Sequence, residues 1–368
     1  MQIKKIVLKN FRNYPELELN ITSPMVVLSG PNAVGKTNLL ESIYFGSLFK
    51  SFRDDAEFIF LKNTKEAQIK IEFEENTETH TIEIFLEKRD RIFANFKVNG
   101  VKKKRKEAQG FLKVVIFEPS DVELFTKPPE ARRKYLNMVL SQKHPEYLEL
   151  LTNYKKAITQ KNKLLYDIKQ GLRGDEELDT WNEQLVSFGS EIIWYRKQFI
   201  NFLNQNLSEV YSNISKFHRT VELVYESLSG DTEEDIMRSY RQELTKHESR
   251  ERASGLCLVG PHRDDIFLQS EGLYLVSFSS RGEQRSQILA LKILELEYLT
   301  KEGNSPILLL DDVLSELDDT RRTFLLKYLQ GKFQTFITTT HPLEMVGQHV
   351  TLSPATHETE TEEIEQAN

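Results

Sequence analysis

The sequence has 368 residues, 39% of them hydrophobic and 29% charged, which predicts a globular protein with one large α/β domain and a second, inserted or appended one. The only cysteine, Cys257, excludes an intrachain disulfide and a cysteine-based zinc site, and because the sequence shows neither a signal-peptide pattern nor an apolar run of about 18 residues, we expect a cytoplasmic protein. The net charge of −7, from 49 basic and 56 acidic residues, argues at first sight against a nucleic-acid partner.

The N-terminal part of the chain combines strand and helix patterns. Residues 1–30 predict two short strands that end in MVVLSG, and residues 36–49 predict a helix with one apolar face. From 68 to 100, the alternating segments QIKIEFEE and THTIEIFLE, closed by VNG, predict an antiparallel sheet with hairpin turns. We therefore expect a strand, loop and helix followed by an antiparallel β layer.

From about residue 120 to 250, the pattern changes to long helices with few Gly or Pro residues. Two apolar seams recur every seven residues, on either side of the turn GLRGDEELD. The first seam contains Leu151, Ile158, Leu165 and Leu172; the second contains Trp181, Phe188, Tyr195 and Phe202, interleaved with Leu185, Ile192 and Phe199. This pattern predicts a short antiparallel helical hairpin within an inserted helical domain.

After residue 255 the α/β pattern returns, and the apolar run in PILLLDDV predicts a strand buried on both faces of a parallel sheet. A helix near 320–330 and the strand-like FQTFITTTH follow. The two ends of the chain therefore form one head. We predict an N-terminal part of the head over 1–118, a helical arm over 119–254, a C-terminal part of the head over 255–352 and an acidic disordered tail over 353–368. The tail contributes five glutamates and leaves only −2 for the remainder.

The strongest chemical signal is GPNAVGKT, which matches the pattern G-x-x-x-x-G-K-[ST] between a predicted strand and a predicted helix. Its residues are Gly30, Pro31, Asn32, Ala33, Val34, Gly35, Lys36 and Thr37. Glycines let consecutive N–H groups face a phosphate, and the helix N-terminus adds its partial positive charge. We predict that Lys36 neutralises the β- and γ-phosphate oxygens and that Thr37 reaches Mg²⁺.

Two adjacent acids end the strand in ILLLDD. We predict that Asp311 holds Mg²⁺, directly or through water, and that Asp312 orients or deprotonates the attacking water. Asp312 can instead cap the next helix, and both roles are compatible. His341, after FITTT, is placed to sense the γ-phosphate, although a histidine after a strand is often structural.

Basic residues cluster in KKKRK and RRK. Each cluster is typical either of a solvated hairpin or helix face or of a surface that holds nucleic-acid phosphates. The candidate DNA contacts are Lys102, Lys103, Lys104, Arg105, Lys106, Arg132 and Arg133.

The order of these motifs resembles that of the ABC-type ATPases, particularly the structural-maintenance and Rad50 branch, in which a helical insertion splits the head. The segments NFRNY, VNGVKKKRK, VVIFEPSDVEL, ARRKYLN, VGPHRDDI, SSRGEQRSQILALKI and PILLLDDVLSELDDTRR resemble the RecF family of bacterial recombination mediators, in order and over almost all of the chain except the tail. The short hairpin and the lack of a CxxC zinc hook favour this family over its long-armed relatives. The resemblance implies an α/β, ABC-type P-loop ATPase head, with a mixed sheet and an antiparallel β layer, split by the helical domain.

The same resemblance implies roles for four further residues. Ser280 and Gly282 in SSRGEQR would contact the γ-phosphate held by the other subunit of a dimer, while Ser280 by itself predicts a helix N-cap. Arg12 in FRNY and Arg53 in SFR would lie on the phosphate side of the nucleotide, although either can be an ordinary surface arginine.

The resemblance also implies a function. The protein would be a weak, DNA-stimulated ATPase that binds ATP and Mg²⁺, and its ATP-dependent homodimer would clamp duplex DNA near single-stranded gaps until slow hydrolysis releases it. With RecR and RecO it would assist RecA loading in DNA repair, recombination and replication, and it would support the SOS response.

The sequence does not decide the roles of two segments. TKPPEARRKYLN lacks the glycine customary in the family and carries Asn137 where an acid is common, so we assign no site there. In GPHRDD, the residues His262, Arg263 and the two aspartates fit an internal salt-bridged turn as well as a site.

Three other functions share the head motifs. A transporter subunit should lack the helical insertion and the basic clusters, and an overcoming-lysogenization-type nuclease needs a further metal-dependent domain, for which we see no room after residue 350. A nucleotide-gated DNA adaptor without meaningful hydrolysis is the alternative that the sequence excludes least.

Overall fold

The computed structural model describes residues 1–53, 56–215, 219–275, 278–301, 304–340, 345–353 and 359–364. The chain divides into two compact units, Met1–Val122 with Arg285–Asn368, and Glu123–Gln284. None of the helices in the described ranges combines the length and apolar character needed to cross a membrane.

The secondary-structure elements alternate between strand-rich and helix-rich stretches. The strands are β1 (Gln2–Phe11), β2 (Tyr14–Asn20), β3 (Met25–Ser29), β4 (Glu66–Glu75), β5 (Glu78–Lys88), β6 (Ile92–Val98), β7 (Val101–Lys103), β8 (Val114–Phe117), β9 (Glu222–Glu226), β10 (Asp265–Ser270), β11 (Leu273–Tyr274), β12 (Ile307–Leu310), β13 (Thr335–Thr339), β14 (Gly347–Leu352) and β15 (Thr359–Ile364). The α-helices are α1 (Lys36–Leu48), α2 (Arg105–Ala108), α3 (Pro129–Lys143), α4 (Pro145–Lys169), α5 (Leu178–Ser215), α6 (Glu233–Ser254), α7 (Arg281–Leu299), α8 (Val313–Glu316) and α9 (Asp319–Leu329).

The predicted antiparallel layer of the first unit is confirmed as a sheet in the order β2-β1-β4-β5-β6-β7. Its strands alternate buried apolar residues with polar ones, the pattern of a sheet with one covered face. Asn99 and Gly100 link β6 to β7 with φ angles of 50° and 75°, as a two-residue hairpin turn requires. A Cβ on Gly46 would lie 2.4 Å from Ile71 Cδ1, so a side chain there would displace Ile71 where α1 packs on this sheet.

The second sheet of the first unit has the order β15-β14-β3-β13-β12-β8, and all of its pairs are parallel except that between β14 and β15. Every residue of β12 is buried, as predicted for a strand covered on both faces. The carboxyl ends of β3, β12 and β13 lie side by side, because these strands are parallel and in register. This edge carries the candidate site.

The second unit contains α3 to α6 and a small sheet in the order β11-β10-β9. The predicted seam of Leu185, Ile192 and Phe199 is buried in α5, which confirms the second half of the hairpin. The first seam is partly wrong, since α4 ends at Lys169 and Leu172, beyond it, is 71% exposed.

Two predicted boundaries differ from the structure. The arm does not end at residue 254, because β10 pairs with β9 and thereby places residues 255–284 in the second unit. The tail is not disordered over 359–364, since β15 pairs antiparallel with β14 and Glu363 accepts a hydrogen bond from the Thr22 hydroxyl at 2.6 Å. Strand pairing between distant segments explains both differences, because a local composition pattern carries no information about it.

Candidate nucleotide-binding site

The predicted phosphate loop joins the end of β3 to the start of α1. Gly30 and Gly35 have φ angles of 146° and 120°, which non-glycine residues rarely adopt. The Lys36 side chain is buried and folds back over the loop, and its Nζ donates to the carbonyl oxygens of Gly30 (2.8 Å) and Pro31 (3.0 Å). The loop therefore wraps around an ammonium group at a helix N-terminus, where anions bind readily.

Side chains from the turn between β1 and β2 support this loop. Asn13 Nδ2 donates to the carbonyl of Val34 at 2.8 Å, and the Tyr14 hydroxyl donates to the carbonyl of Gly35 at 3.1 Å. A Cβ on Gly35 would lie 2.6 Å from Asn13 Nδ2, so this position accepts only glycine. Asn13 and Tyr14 belong to the segment NFRNY but were not among the predicted site residues.

Asp311, the acid predicted to hold Mg²⁺, lies next to Thr37, whose hydroxyl is predicted to reach the same ion. Asp311 Oδ1 accepts hydrogen bonds from the hydroxyls of Thr37 (2.9 Å) and Thr338 (2.8 Å). Burial raises the pKa of the Asp311 carboxyl, while the two hydroxyl donors act in the opposite direction. The structure thus brings the end of the phosphate loop and the end of β12 together, as predicted.

Asp312 follows in a left-handed conformation with φ of 53°. Its backbone N–H donates to the Thr338 hydroxyl at 2.8 Å. Asp312 occupies the N-cap position of α8, but its side chain makes no capping hydrogen bond. The alternative capping role for its carboxylate is therefore wrong, and the hydrolytic role stays a prediction.

The oxygen donors fit a small, hard cation. Mg²⁺ usually takes one or two protein ligands beside phosphates and water, and the Thr37 hydroxyl, which donates to Asp311, keeps its lone pairs available for a cation. In the described part of the chain, no group of three or more His, Cys, Asp or Glu residues suits a metal held by protein alone. Thr37 and Asp311 could hold Mg²⁺ that is shared with a phosphate ligand.

Arg12 and Arg53 meet at the carboxylate of Glu41, which was not among the predicted site residues. Glu41 in α1 is fully buried and accepts from Arg12 Nε at 2.9 Å and from the Ser51 hydroxyl at 2.6 Å. Arg53 lies 3.8 Å from the same carboxylate and donates to Asn38 at 2.9 Å. Both arginines therefore lie beside the helix that follows the phosphate loop, and their contact with phosphate stays a prediction.

Glu118 is another acid beside the site that was not among the predicted site residues. It follows β8 directly, and the Asp311 backbone N–H donates to the carbonyl of its neighbour Phe117 at 3.0 Å. Burial raises the pKa of the Glu118 carboxyl, and the nearby Asp311 adds to this effect. The signal was present in VVIFEP, where an acid follows an apolar strand as in ILLLDD.

Ser280 has the local role predicted for it. Its hydroxyl accepts from the Glu283 N–H at 3.3 Å, and its own N–H donates to the Glu283 carboxylate at 2.8 Å, which is a capping box at the start of α7. The Ser280 hydrogen bonds lower the pKa of Glu283. Gly282 lies in the first turn of α7. The contact of these residues with a partner's phosphate stays a prediction, and His341 lies outside the described residues.

The two basic clusters differ in their surroundings. Lys102 to Lys106 are exposed, although the Arg105 guanidinium donates to the Leu48 carbonyl at 3.2 Å. Arg132 is instead buried, and it pairs with Asp265 at 2.6 Å and donates to carbonyls of the segment that precedes α3. Arg133 is half-buried and donates to the carbonyl of Asp264 at 2.9 Å. Arg132 is therefore wrong as a DNA contact, because its guanidinium is used inside the unit.

The GPHRDD segment forms an internal salt-bridged turn, the first of its two interpretations. Asp264 is buried, pairs with Arg196 Nη1 at 3.1 Å and contacts the Tyr225 hydroxyl. Arg196 also donates to the carbonyl of Pro261 at 2.7 Å and to Asn137 Oδ1 at 3.0 Å. Asn137, at the position where an acid is common in the family, thus contributes a neutral acceptor to this buried network.

The sequence relatives of this chain agree with one another. The family model described as RecF/RecN/SMC N terminal domain matches residues 2–363. A DNA replication and repair protein RecF from Natranaerobius thermophilus is 37% identical over 357 residues, which cover 92% of this chain and 91% of that protein. The protein of the same name from Pediococcus pentosaceus is 37% identical over 363 residues, which cover 96% of each chain.

Solved structures show the same likeness. A structure of the recombination mediator protein RecF with ATP, in the RecFOR pathway, matches with a TM-score of 0.90 and 32% identity over 98% of this chain and 97% of that one. An Smc head bound to the C-terminal winged-helix domain of ScpA matches with a TM-score of 0.55 over 99% of this chain and 98% of that one, and its 15% identity makes this a likeness of fold alone. The predicted fold class is confirmed.

Proposed function

Because this chain belongs to the RecF family of DNA replication and repair proteins, we propose that it binds ATP and acts on DNA in recombinational repair. One observation carries the nucleotide part of the proposal: the Thr37 hydroxyl at the end of the phosphate loop lies 2.9 Å from Asp311, which directly follows β12. A phosphate loop and a strand-end acid in contact are what ATP with Mg²⁺ requires. The solved RecF relative with bound ATP supports the same ligand.

The residues of this edge have distinct roles in the proposed hydrolysis. The loop from Gly30 to Thr37 holds the phosphates through its backbone N–H groups, which Pro31 lacks, and Lys36 exchanges its loop carbonyls for β- and γ-phosphate oxygens. Asp311 and Thr37 hold the cation, which when bound offsets the charge that develops on the phosphates. Asp312 orients the attacking water or takes its proton, Arg12 and Arg53 lie on the phosphate side, and His341 senses the γ-phosphate.

We further propose that ATP closes two copies of the chain into a head-to-tail dimer. Ser280 and Gly282 of each copy complete the other copy's site, so that binding free energy from shared phosphates stabilises the closed form. The closed dimer clamps duplex DNA near single-stranded gaps, and slow, DNA-stimulated hydrolysis opens it. The exposed cluster from Lys102 to Lys106 supplies phosphate contacts that carry no base specificity.

The partners follow from the family and its named pathway. We propose that the protein works in the cytoplasm with RecR and RecO, assists RecA loading and supports SOS induction. The solved relative named as part of the RecFOR pathway supports the RecR and RecO assignment.

Sedimentation of a Ser280→Arg variant tests the shared site. We expect this variant to bind ATP like the parent but to stay monomeric with ATP and Mg²⁺ and to lose ATP-dependent retention on DNA. Thr232→Arg is the matched control, because Thr232 is also an exposed N-cap whose side chain accepts from the N–H three residues on, at 3.2 Å. A normal ATP-dependent dimer of Ser280→Arg would overturn the shared site.

The alternative is a nucleotide-gated adaptor without meaningful hydrolysis. The observation that favours it is the short side chain of Asp312, because an ABC-type site usually has the longer glutamate at this position. Phosphate release with and without DNA separates the two functions. Turnover of the parent that equals the turnover of Asp312→Asn would favour the adaptor.

A further inference from the structure

Thr338 lies at the centre of the parallel sheet, on β13 between β12 and β3. Leu310 pairs with Ile337 and Leu28 pairs with Thr338, so Thr338 stands beside the first residue after β12. It is only 1% exposed. A hydroxyl buried at this depth must form its hydrogen bonds within the protein.

The Thr338 hydroxyl joins the two acids. Its Oγ1 accepts from the Asp312 backbone N–H at 2.8 Å and lies 2.8 Å from Asp311 Oδ1. An amide N–H can only donate and an ionised carboxylate can only accept, so the hydroxyl proton points to Asp311. The carbonyl of Leu310, at 3.5 Å, is the weaker acceptor for the same proton.

Each of these bonds restricts one acid. Asp311 Oδ1 receives two hydroxyl donors, from Thr37 and Thr338, which fix the rotation of its carboxylate. Asp312 has a left-handed backbone, which is unfavourable for a residue with a side chain, and its N–H bond to Thr338 holds that conformation. One buried hydroxyl thus contacts both acids, Asp311 through its carboxylate and Asp312 through its backbone N–H.

We propose that Thr338 is a positioning residue of the hydrolytic site, which aligns Asp311 for the cation and Asp312 for the attacking water through a single hydroxyl. This inference rests on the proposed ATPase function. It gives β13 a role in aligning the residues that hydrolyse ATP, although Thr338 itself need not contact ATP. Partners that orient a metal ligand typically change metal affinity or activity by about tenfold to a hundredfold when they are removed.

Thr338→Val removes the hydroxyl and keeps the shape of the side chain, whereas Thr338→Ser keeps the hydroxyl. Two measurements distinguish these variants: steady-state phosphate release, and binding of Mn²⁺ in the presence of ATP, followed by electron paramagnetic resonance of free Mn²⁺. For Thr338→Val we expect roughly tenfold to a hundredfold losses in kcat and in Mn²⁺ affinity, with ATP affinity in EDTA unchanged. For Thr338→Ser we expect values within about twofold of the parent.

Thr335→Val is the matched control. Thr335 is a fully buried threonine on the same strand, and its hydroxyl donates to the carbonyl of Phe333 at 3.3 Å. This control should match the parent in both measurements. Equal losses in Thr335→Val and Thr338→Val would reduce Thr338 to a structural residue and overturn the inference.

The remaining outcomes are also decisive. Thr338→Val values equal to those of an active parent overturn the positioning role and leave the ATPase function intact. A parent that binds ATP and Mn²⁺ but releases no phosphate overturns hydrolysis alone, and Mn²⁺ affinity then still tests Thr338. If Thr338→Val does not fold, Thr338→Ala and Thr338→Ser differ by one hydroxyl oxygen and provide the same comparison.

Discussion

The two units each bury a cluster of charged residues, and the clusters are built in opposite ways. The strand-end cluster of the first unit comprises Lys36, Thr37, Asp311, Asp312 and Thr338. There the ammonium is held by loop carbonyls, and the Asp311 carboxylate is held by hydroxyls, so neither charge is neutralised by an opposite one within the cluster.

The arm cluster of the second unit comprises Asn137, Tyr147, Arg196, Tyr225 and Asp264. Its cation and its anion pair directly, at 3.1 Å, and the neutral groups Tyr147 and Asn137 accept two further hydrogen bonds from the guanidinium. Such a closed cluster leaves no charge for a ligand. The comparison teaches that a buried charge held by neutral groups, which a ligand can replace, is a better mark of a binding site than a buried ion pair.

Arg196→Met should give the largest effect on stability, because it leaves Asp264 buried without its ion pair. We expect the free energy of unfolding in denaturant to fall by about 3 to 5 kcal/mol. Arg241→Met is the control, since Arg241 pairs with Glu183 in the same unit but both side chains are about half-exposed. The unfolding free energy of that variant should fall by less than about 1 kcal/mol. Similar losses in the two variants would contradict the view that Arg196 and Asp264 neutralise each other within the arm cluster.

Acid should weaken the second unit through His262, next to the arm cluster. His262 contacts the Tyr154 hydroxyl at 2.8 Å, and burial, together with Arg263 and Arg133, lowers its pKa from 6.5 to about 4. Between these values the unfolded chain binds the proton and the folded chain does not, so stability falls as pH falls from 6.5 to 4, by about 3 kcal/mol in total.

Denaturant unfolding of the parent and of His262→Gln across this pH range measures the effect. The glutamine amide can keep a donor and an acceptor but cannot take up the proton. The difference in unfolding free energy between parent and variant should therefore shrink toward acid pH. Parallel curves for the two proteins would show that His262 does not cause the loss.

Lys36→Met tests the opposite character of the strand-end cluster. The ammonium donates to two loop carbonyls and forms no ion pair within the cluster, so its removal should lower the unfolding free energy without nucleotide by about 1.5 to 3 kcal/mol, less than in Arg196→Met. ATP affinity should instead fall roughly tenfold to a hundredfold, because a charged hydrogen-bond donor to phosphate is lost. Isothermal titration of ATP measures this effect, with Lys62→Met, at an exposed position, as the control. Parent-like affinity in Lys36→Met would contradict the assignment of Gly30 to Thr37 as the phosphate loop.

The sequence predicted the strand-end cluster better than the arm cluster, for a physical reason. The residues from Gly30 to Thr37 are contiguous, and the apolar run before Asp311 identifies its strand, so local pattern was enough. Thr338 was missed because its role depends on the register of β13 against β12. Asp264 received no role and Arg132 received a wrong one, because the partner of each is distant in the chain. Local composition also predicted disorder for the segment that forms the edge strand β15, because its pairing with β14 cannot be seen in the composition.

Asn137 gives the smallest and most discriminating test of the arm cluster. Its Oδ1 accepts from the Tyr147 hydroxyl at 2.9 Å and from Arg196 at 3.0 Å, and an aspartate keeps both bonds. The added charge attracts Arg196 and repels Asp264, so Asn137→Asp should change the unfolding free energy by less than about 1 kcal/mol. Asn137→Leu leaves both donors without their acceptor and should cost about 1 to 3 kcal/mol. If Asn137→Asp lowers the unfolding free energy as much as Asn137→Leu does, the arm cluster cannot accommodate a second negative charge. Asp264 would then already supply all the negative charge that Arg196 can balance.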